Sequence, residues 1–403
     1  MGRSIEQLNI KEKETLVQEV LDKKNGVHDK DWCDMVADWD LEISPDTLRK
    51  AGVGIKLASD SGMMFPKGGE QTRDAMDGYM ERQKLYDLHR DIRKDLREQS
   101  RSELIRETIR KAIAAMPPIE LPDAGIEEND KTPDRDLIIG IGDFHYGADF
   151  TVDGLRGEEL NKYNSDVFKY RMSELVRRID EIAREQHPQQ ITVMVAGDML
   201  DGLLRNSQIS RLEFGVVESA MHLSEILSKW LSELYLRTGL PVRFYAVRGN
   251  HGEIRPLGSK AGQFPEENME RIVMHYLHER FRGSGRTIMI GDSDAPMMRI
   301  VDVCGYQIML IHGHGADIQE IARSHQILYH ENIDLFICGH LHKSQTFMAG
   351  VADGSNILIE RVPSICGMDP YAQSKGLGSP AGATVIVMEK GIGRRCVYPV
   401  VLK

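Results

Sequence analysis

Cysteine is scarce in this chain: five among 403 residues (Cys33, Cys304, Cys338, Cys366 and Cys396), an odd number with no C-x-x-C pair. That excludes a disulfide framework and a thiolate zinc knot, and the expectation is reduced thiols in a reducing compartment. Long apolar runs are missing too. No stretch approaches 18 apolar residues, so no membrane-spanning helix is expected. The first residues, MGRSIEQLNIKEKETL, lack the apolar core of a secretory signal, and a cytoplasmic protein is expected. Positive charge is in deficit, with 51 Lys+Arg against 62 Asp+Glu, a net −11. A globally acidic protein is not a general polyanion binder, so a nucleic-acid partner must be met by a local basic patch or by metal ions. There is no internal repeat and no sustained low-complexity run.

What is present is ordinary globular material, 41% hydrophobic and 28% charged, enough for one large domain with a smaller one. Residues 1–62 read as a small helical unit. KEKETLVQEVLDKKNG places Leu16, Val17, Val20 and Leu21 at helical spacing, and HDKDWCDMVADWD turns Trp32, Met35, Val36 and Trp39 inward. A third helix starts with Ser44 as N-cap, Pro45 at its first position and Asp46 in its first turn. Three short helices can form a helix-turn-helix, with Arg49, Lys50 and Lys56 as DNA contacts, or a protein-docking module. Residues 1–60 hold 9 Lys+Arg against 13 Asp+Glu, which weakens the DNA reading. Residues 71–116 read as a long charged helix or helix pair. Its narrow stripe of Leu85, Leu88, Ile92, Leu96, Ile105, Ile109 and Ile113 suits packing on a second copy, a homodimer. Residues 117–136 are Pro-rich and acidic, a linker. From 137 to 403 apolar β-rich runs alternate with helices, giving an α/β domain.

Within that domain the β runs end alike. IIGIG ends on Asp143 and His145. ITVMVAG ends on Asp198, with Asp201 three further on. RFYAVRG ends on Asn250 and His251, QIMLI on His312, and LFICG on His340 and His342. In open α/β sheets, sites form beyond the C-terminal strand ends, where loops converge. Each motif alone reads as a turn or a satisfied histidine, but five together do not. Asp, Asn and His donors without thiolate suit Mn²⁺, Fe or Zn²⁺. They are too many for one tetrahedral ion, and a shared carboxylate holding two ions about 3.5–4 Å apart fits the count. GIGDFH is not a dinucleotide loop, because the third glycine is absent and Asp143 would sit where pyrophosphate needs room.

The blocks GDFH, GDMLD, GNHGE, IHGHG and GHLH resemble the five signature blocks of the calcineurin-like metallophosphoesterase superfamily. The stretch LNKYNSDVFKYRM is similar to its DNA-repair exonuclease branch and the phage-encoded relatives. The resemblance carries motifs over 137–345 and does not reach residues 1–116. It implies a β-sandwich flanked by helices (αββα) holding two divalent ions, with Mn²⁺ expected and Zn²⁺ or Fe as alternatives. It implies Asp143, His145 and His342 on one ion, Asn250, His312 and His340 on the other, and Asp198 bridging. His314 competes with His312. His251 would protonate the leaving oxygen, and Asp201 would orient a catalytic imidazole. A hydroxide between the ions would attack in line. Arg205 and Arg248 are candidate substrate-binding residues, next to the motifs. Gly252 departs from the common pattern, where an acidic residue stands, with Glu253 as the candidate to compensate.

The resulting expectation is a phosphodiesterase acting on nucleic acid, DNA before RNA, as an exonuclease or endonuclease. The alternatives are a phosphomonoesterase with the same centre and a metal-bound scaffold without catalysis.

Overall fold

The structure is a computed structural model describing residues 2–61, 83–84, 86–88, 103–104, 107–122, 134–202, 206–254, 259–260, 262–284, 286–314, 317–330, 332–352, 355–377 and 379–403. Arg205 and most of the long charged stretch 71–116, with the dimer expected through it, lie outside the described residues. The chain forms two compact units, Met1–Arg106 and Glu107–Lys403.

In the first unit, α1 (Ile10–Lys24), α2 (Trp32–Asp38) and α3 (Pro45–Asp60) each start on a side-chain cap, Asn9, Asp31 and Ser44. Such caps occupy the orphan N–H groups of the first turn. Leu8, Leu16, Val20, Met35, Leu41 and Leu48 form its core, with Trp32, Val36 and Trp39 packed at the edge. A β-carbon on Gly52 would lie 3.0 Å from Val20 Cγ1, so the missing side chain lets α3 approach α1 closely. The cations of α3 are already engaged. Arg49 and Lys50 both pair with Asp46, each at 2.6 Å, and Lys56 Nζ donates to the Lys24 carbonyl at 3.3 Å.

The second unit is a sandwich. One sheet has strand order β13-β12-β1-β4-β5-β6 and the other β10-β11-β9-β8-β7. The first comprises β1 (Arg135–Ile141), β4 (Gln190–Val195), β5 (Val242–Ala246), β6 (Ile288–Ile290), β12 (Gly382–Glu389) and β13 (Gly393–Val401). The second comprises β7 (Met298–Val303), β8 (Tyr306–Ile311), β9 (Leu335–Cys338), β10 (Gln345–Ala352) and β11 (Ser355–Arg361). A hairpin of β2 (Phe150–Asp153) and β3 (Glu159–Tyr163) stands apart.

The β1 run is apolar on both faces because both are covered. Ile138 faces the second sheet, in a core with Met194, Val301, Ile308, Leu310 and Ile337. Leu137, Ile139 and Ile141 face helices α4 (Ser165–Gln186), α6 (Val216–Thr238) and α7 (Glu270–Arg280), through residues such as Leu175, Leu227 and Val273. Between α4 and α6 lies a short helical turn, α5 (Asn206–Ile209). The outer face of the second sheet packs Met309 and Phe336 on Ile318 and Ala322 of α8 (Ile318–Tyr329). The layers are therefore helix, sheet, sheet, helix, and the short α9 (Pro370–Ser374) follows β11.

The described start of the expected linker, residues 117–122, packs on this unit, as does the end of the charged stretch before it. Ile113 is buried in the large core, Met116, Ile119 and Leu121 pack against it, and Tyr235 Oη donates to the Pro122 carbonyl at 2.8 Å. Their apolar side chains anchor the segment to the second unit.

The topology aims several strand ends at one place. β1, β4 and β5 run parallel in the first sheet, and β8, β9 and β11 run parallel in the second.

Candidate metal centre

The loops beyond these strands are zipped together by backbone bonds. The N–H groups of Asp143, His145 and Tyr146 donate to the carbonyls of Gly197, Asp198 and Met199 at 2.9, 3.0 and 3.1 Å. Gly339 N–H donates to His312 O at 3.1 Å, and Ile365 N–H to Gly142 O at 3.2 Å. Glu270, on α7, staples two loops from below by accepting from Met199 N–H at 2.7 Å and Gly249 N–H at 2.8 Å. Burial pushes its carboxyl up to about 7, with the charge of Asp198 adding to the effect.

Backbone strain gathers at the same place. Asp143, His145, Asp198, His340 and His342 all have positive φ, between 46° and 73°. Such conformations cost about 1–3 kcal/mol each outside glycine and cluster at functional sites. Asp and His tolerate them better than β-branched residues do. The glycines beside them are required by space. A β-carbon on Gly249 would stand 2.0 Å from Asp198 Oδ1, and one on Gly339 would stand 2.7 Å from Asp143 Oδ2.

The side chains converge. His145 Nε2 lies 3.0 Å from His342 Nε2, and His342 Nε2 lies 3.7 Å from Asp143 Oδ1. In the other half, His312 Nε2 lies 3.1 Å from Asp198 Oδ2, 3.0 Å from Asn250 Oδ1 and 3.2 Å from His340 Nδ1. Two nitrogen ligands on one tetrahedral zinc, at about 2.0–2.1 Å each, stand about 3.3 Å apart. Most of these gaps are of the length such a pair of ligands would have. Asp143–His145–Asp198 and Asp198–His312–His340 form two groups of close donor atoms that share Asp198. His314 adds no donor to these groups, its ring centre lying 5.4 Å from that of His312.

Electrostatics point the same way. Burial opposes ionisation of Asp198, but the His312 and His251 rings outweigh it and hold its carboxyl well below the usual range. Burial likewise opposes charge on His312, yet Asp198 pushes it up to about 10. Burial and the neighbouring His312 pull His340 down to about 3, which keeps its lone pair free as a ligand. Asp143 Oδ1, His145 Nδ1 and His342 Nδ1 are buried without hydrogen-bond partners. Orphaned polar atoms around buried carboxylates are costly unless a cation compensates them. The donor set fits divalent ions.

The proposed acid stands beside the donors. His251 N–H donates to Asp198 Oδ1 at 2.7 Å, and His251 Nδ1 lies 3.0 Å from Asp201 Oδ1. The ring centres of His251 and His145 are 4.4 Å apart, nearly perpendicular. Arg248 is engaged elsewhere, with Nη2 3.1 Å from Glu266 Oε1. Gly252 leaves no room for an acidic side chain, because a β-carbon would lie 2.5 Å from Asn268 Oδ1. Glu253 turns away, accepting from Gly262 N–H at 2.7 Å.

Residues outside the expected ligand set complete the site. Asn161 Nδ2 donates to the carbonyls of Cys366 and Met368, and Arg171 donates to those of Ile365 and Cys366. Tyr163 Oη donates to the Phe144 carbonyl, and Asn164 caps α4. The block LNKYNSDVFKYRM therefore pins two loops of the site. Gln208, Arg211, Glu270, Cys366 and Asp369 also surround the centre. No spacing rule picks them out, since they come from three separate segments.

These clusters of buried Asp and His donors could hold divalent metal ions. A sequence model of the calcineurin-like phosphoesterases matches residues 137–344, just over half of the chain, and the chain belongs to that family. Its members hydrolyse phosphoesters with divalent metals. A prophage-derived uncharacterised protein of Bacillus subtilis, YonJ, is 26% identical over 275 residues, 66% of this chain. The match spans 64% of that relative's length. Among solved structures, Vps29 of Entamoeba histolytica in complex with zinc is 14% identical, with TM-score 0.29 over 66% of this chain and 99% of its own. A metallophosphoesterase of Sphaerobacter thermophilus is 12% identical, with TM-score 0.28 over 68% and 90%. Among the described residues, no helix is long and apolar enough to cross a membrane.

Proposed function

We propose that the protein is a metal-dependent phosphodiesterase that cuts nucleic acid, DNA before RNA. The observation that carries the hydrolase reading is the spacing of the buried donors around Asp198, with His251 tied to that carboxylate by its own backbone. Two divalent ions, Mn²⁺ first and Zn²⁺ or Fe as alternatives, would supply charge neutralisation at the phosphate and activation of water. Asp143, His145 and His342 would hold one, Asn250, His312 and His340 the other, and Asp198 both. A phosphodiester is an anion, so the protein must bring cationic groups to it and keep carboxylates turned away. Asp201 meets this need by pointing at His251 and His145. His251 Nδ1 is taken by Asp201, which leaves Nε2 to protonate the leaving oxygen, a step typically worth ~10²–10⁴-fold.

The nucleic-acid half of the reading is supported by the likeness of LNKYNSDVFKYRM to the exonuclease branch and by the prophage origin of the relative. The engaged cations of α3 give it no support. The test is one panel: purified protein with Mn²⁺, Zn²⁺ or Mg²⁺ against linear duplex, single-stranded DNA and p-nitrophenyl phosphate. Release of nucleotides that stops in His251→Ala supports the reading. Hydrolysis of monoesters alone replaces it with a phosphatase, and no hydrolysis with metal bound leaves a scaffold.

A further inference from the structure

Asp201 is gripped by more than histidines. Arg211 Nε donates to its Oδ2 at 2.9 Å and Arg211 Nη2 to its Oδ1 at 3.2 Å. The third nitrogen, Nη1, donates to Asp369 Oδ2 at 3.3 Å, and the guanidinium lies over the Phe150 ring, 5.4 Å from its centre. Gln208 lies beside the pair, and its Nε2 donates to Asp201 Oδ1 at 3.3 Å. Gln208 and Arg211 come from one short segment, and that segment is fastened. Asp149 N–H donates to Arg211 O, and Glu213 N–H to Gly147 O, both at 2.7 Å.

Neither residue is among the candidate metal ligands. Each is nonetheless expensive for the fold. Gln208 is buried and its Oε1 has no partner, a condition that costs about 1–3 kcal/mol. An apolar side chain would fill that space more stably. The planar fork of an arginine matches a carboxylate in two bonds, fixing its plane as well as its place.

We propose that Arg211 and Gln208 are positioning residues for the proton donor. Arg211 sets the plane of the Asp201 carboxylate and Gln208 donates to its Oδ1, so that Asp201 accepts from His251 Nδ1 and the ring presents Nε2 to the leaving oxygen. The inference rests on the hydrolase reading. In the step it serves, the oxygen of a water molecule forms a bond to phosphorus and gives up a proton to solvent, while the bond from phosphorus to the leaving oxygen breaks and its electron pair stays on that oxygen. The Nε2–H bond then breaks, its proton goes to the same oxygen, and water later returns a proton to the ring. A carboxylate free to turn would let the imidazole swing with it; one clamped by Arg211 and Gln208 holds it. A misplacement of about 1 Å costs ~10²-fold in such steps.

The experiment compares two leaving groups in the full-length, Mn²⁺-loaded protein. Bis(p-nitrophenyl) phosphate releases a phenolate that needs no proton, whereas a thymidine dinucleotide releases an alkoxide that does. Arg211→Ala and Gln208→Met should each keep two metals per chain and lose no more than about threefold on the nitrophenyl ester. On the dinucleotide kcat should fall by roughly 10²-fold with KM unchanged. Ethylguanidine should restore Arg211→Ala on the dinucleotide alone. Equal losses on both esters, no loss on either, or loss of metal would overturn the inference. If the wild type hydrolyses neither ester, the hydrolase reading falls, and with it the inference as a catalytic claim. Ring ¹⁵N signals of His251 in the Zn²⁺-loaded protein then decide the positioning itself. They should move in both variants, and their constancy would overturn it.

Discussion

The backbone N–H of His251 donates to Asp198 Oδ1 at 2.7 Å, while Asp198 Oδ2 lies 3.1 Å from His312 Nε2. One carboxylate thus faces the donor cluster with one oxygen and fixes the peptide that carries the proposed acid with the other. Disturbing either function should disturb the other.

Asp198→Asn keeps the shape of the side chain and removes its charge. The variant should bind fewer than two metals by elemental analysis. Its kcat/KM should fall by at least ~10³, because several kcal/mol of metal-derived stabilisation are lost. Full metal content in this variant would refute the shared-ligand assignment.

His251→Ala should behave differently. No donor group around Asp198 loses a member, so metal content should remain at the wild-type level while kcat falls by ~10²–10⁴. Coupled loss of metal and rate would mean that His251 is a ligand.

Gly249→Ala adds one methyl group 2.0 Å from Asp198 Oδ1. Neither the backbone nor the carboxylate can give way by that much in a packed loop. Metal binding should be lost with the far-ultraviolet circular dichroism unchanged. Normal metal affinity would show that the loop is looser than described.

Removing the metals should lower the melting temperature. A ligand at a hundred times its dissociation constant adds about 2.7 kcal/mol to the folded state. That corresponds to roughly 5–10 °C in a domain of this class. Chelator followed by Mn²⁺ titration, read by calorimetry, checks the shift and its reversal.

Asp136 gives a stability prediction independent of the centre. Burial pushes its carboxyl up to about 6, with Asp134 and Asp302 adding to the effect and Arg243, 3.5 Å away, opposing it. A carboxyl raised in the folded state holds its proton there after the unfolded chain has released it. Stability from this group is therefore full below about pH 4 and lost as pH rises through about 6. Asp136→Asn removes that loss and should be more stable than wild type at pH 8 by about 1–2 kcal/mol, with little difference at pH 4. Denaturant midpoints at the two pH values test the sign.

Much of the second unit was legible in the sequence because its strands are buried on both faces. Such strands read as unbroken apolar runs, and the polar residues that end them stand out: Asp143 after IIGIG, His312 after QIMLI, His340 after LFICG. Boundaries were less legible. Residues 117–122 look polar and proline-broken, yet Ile119 and Leu121 pack them against the large core. Isolated apolar residues carry no period, so no pattern announces them.

The sequence by itself determined which side chains arrive at strand ends and in what order, since hydrophobic burial dictates where each strand runs and stops. Only the tertiary structure decided what meets what. Parallel strands in two facing sheets bring Asp143, Asp198 and His340 within ligand distances, and the same packing lifts Glu270 beneath two loops and Arg211 against Asp201. Those last partners come from segments far apart in the chain. Their contacts arise from how layers stack rather than from any local spacing, and a sequence read along its length holds no term for that distance.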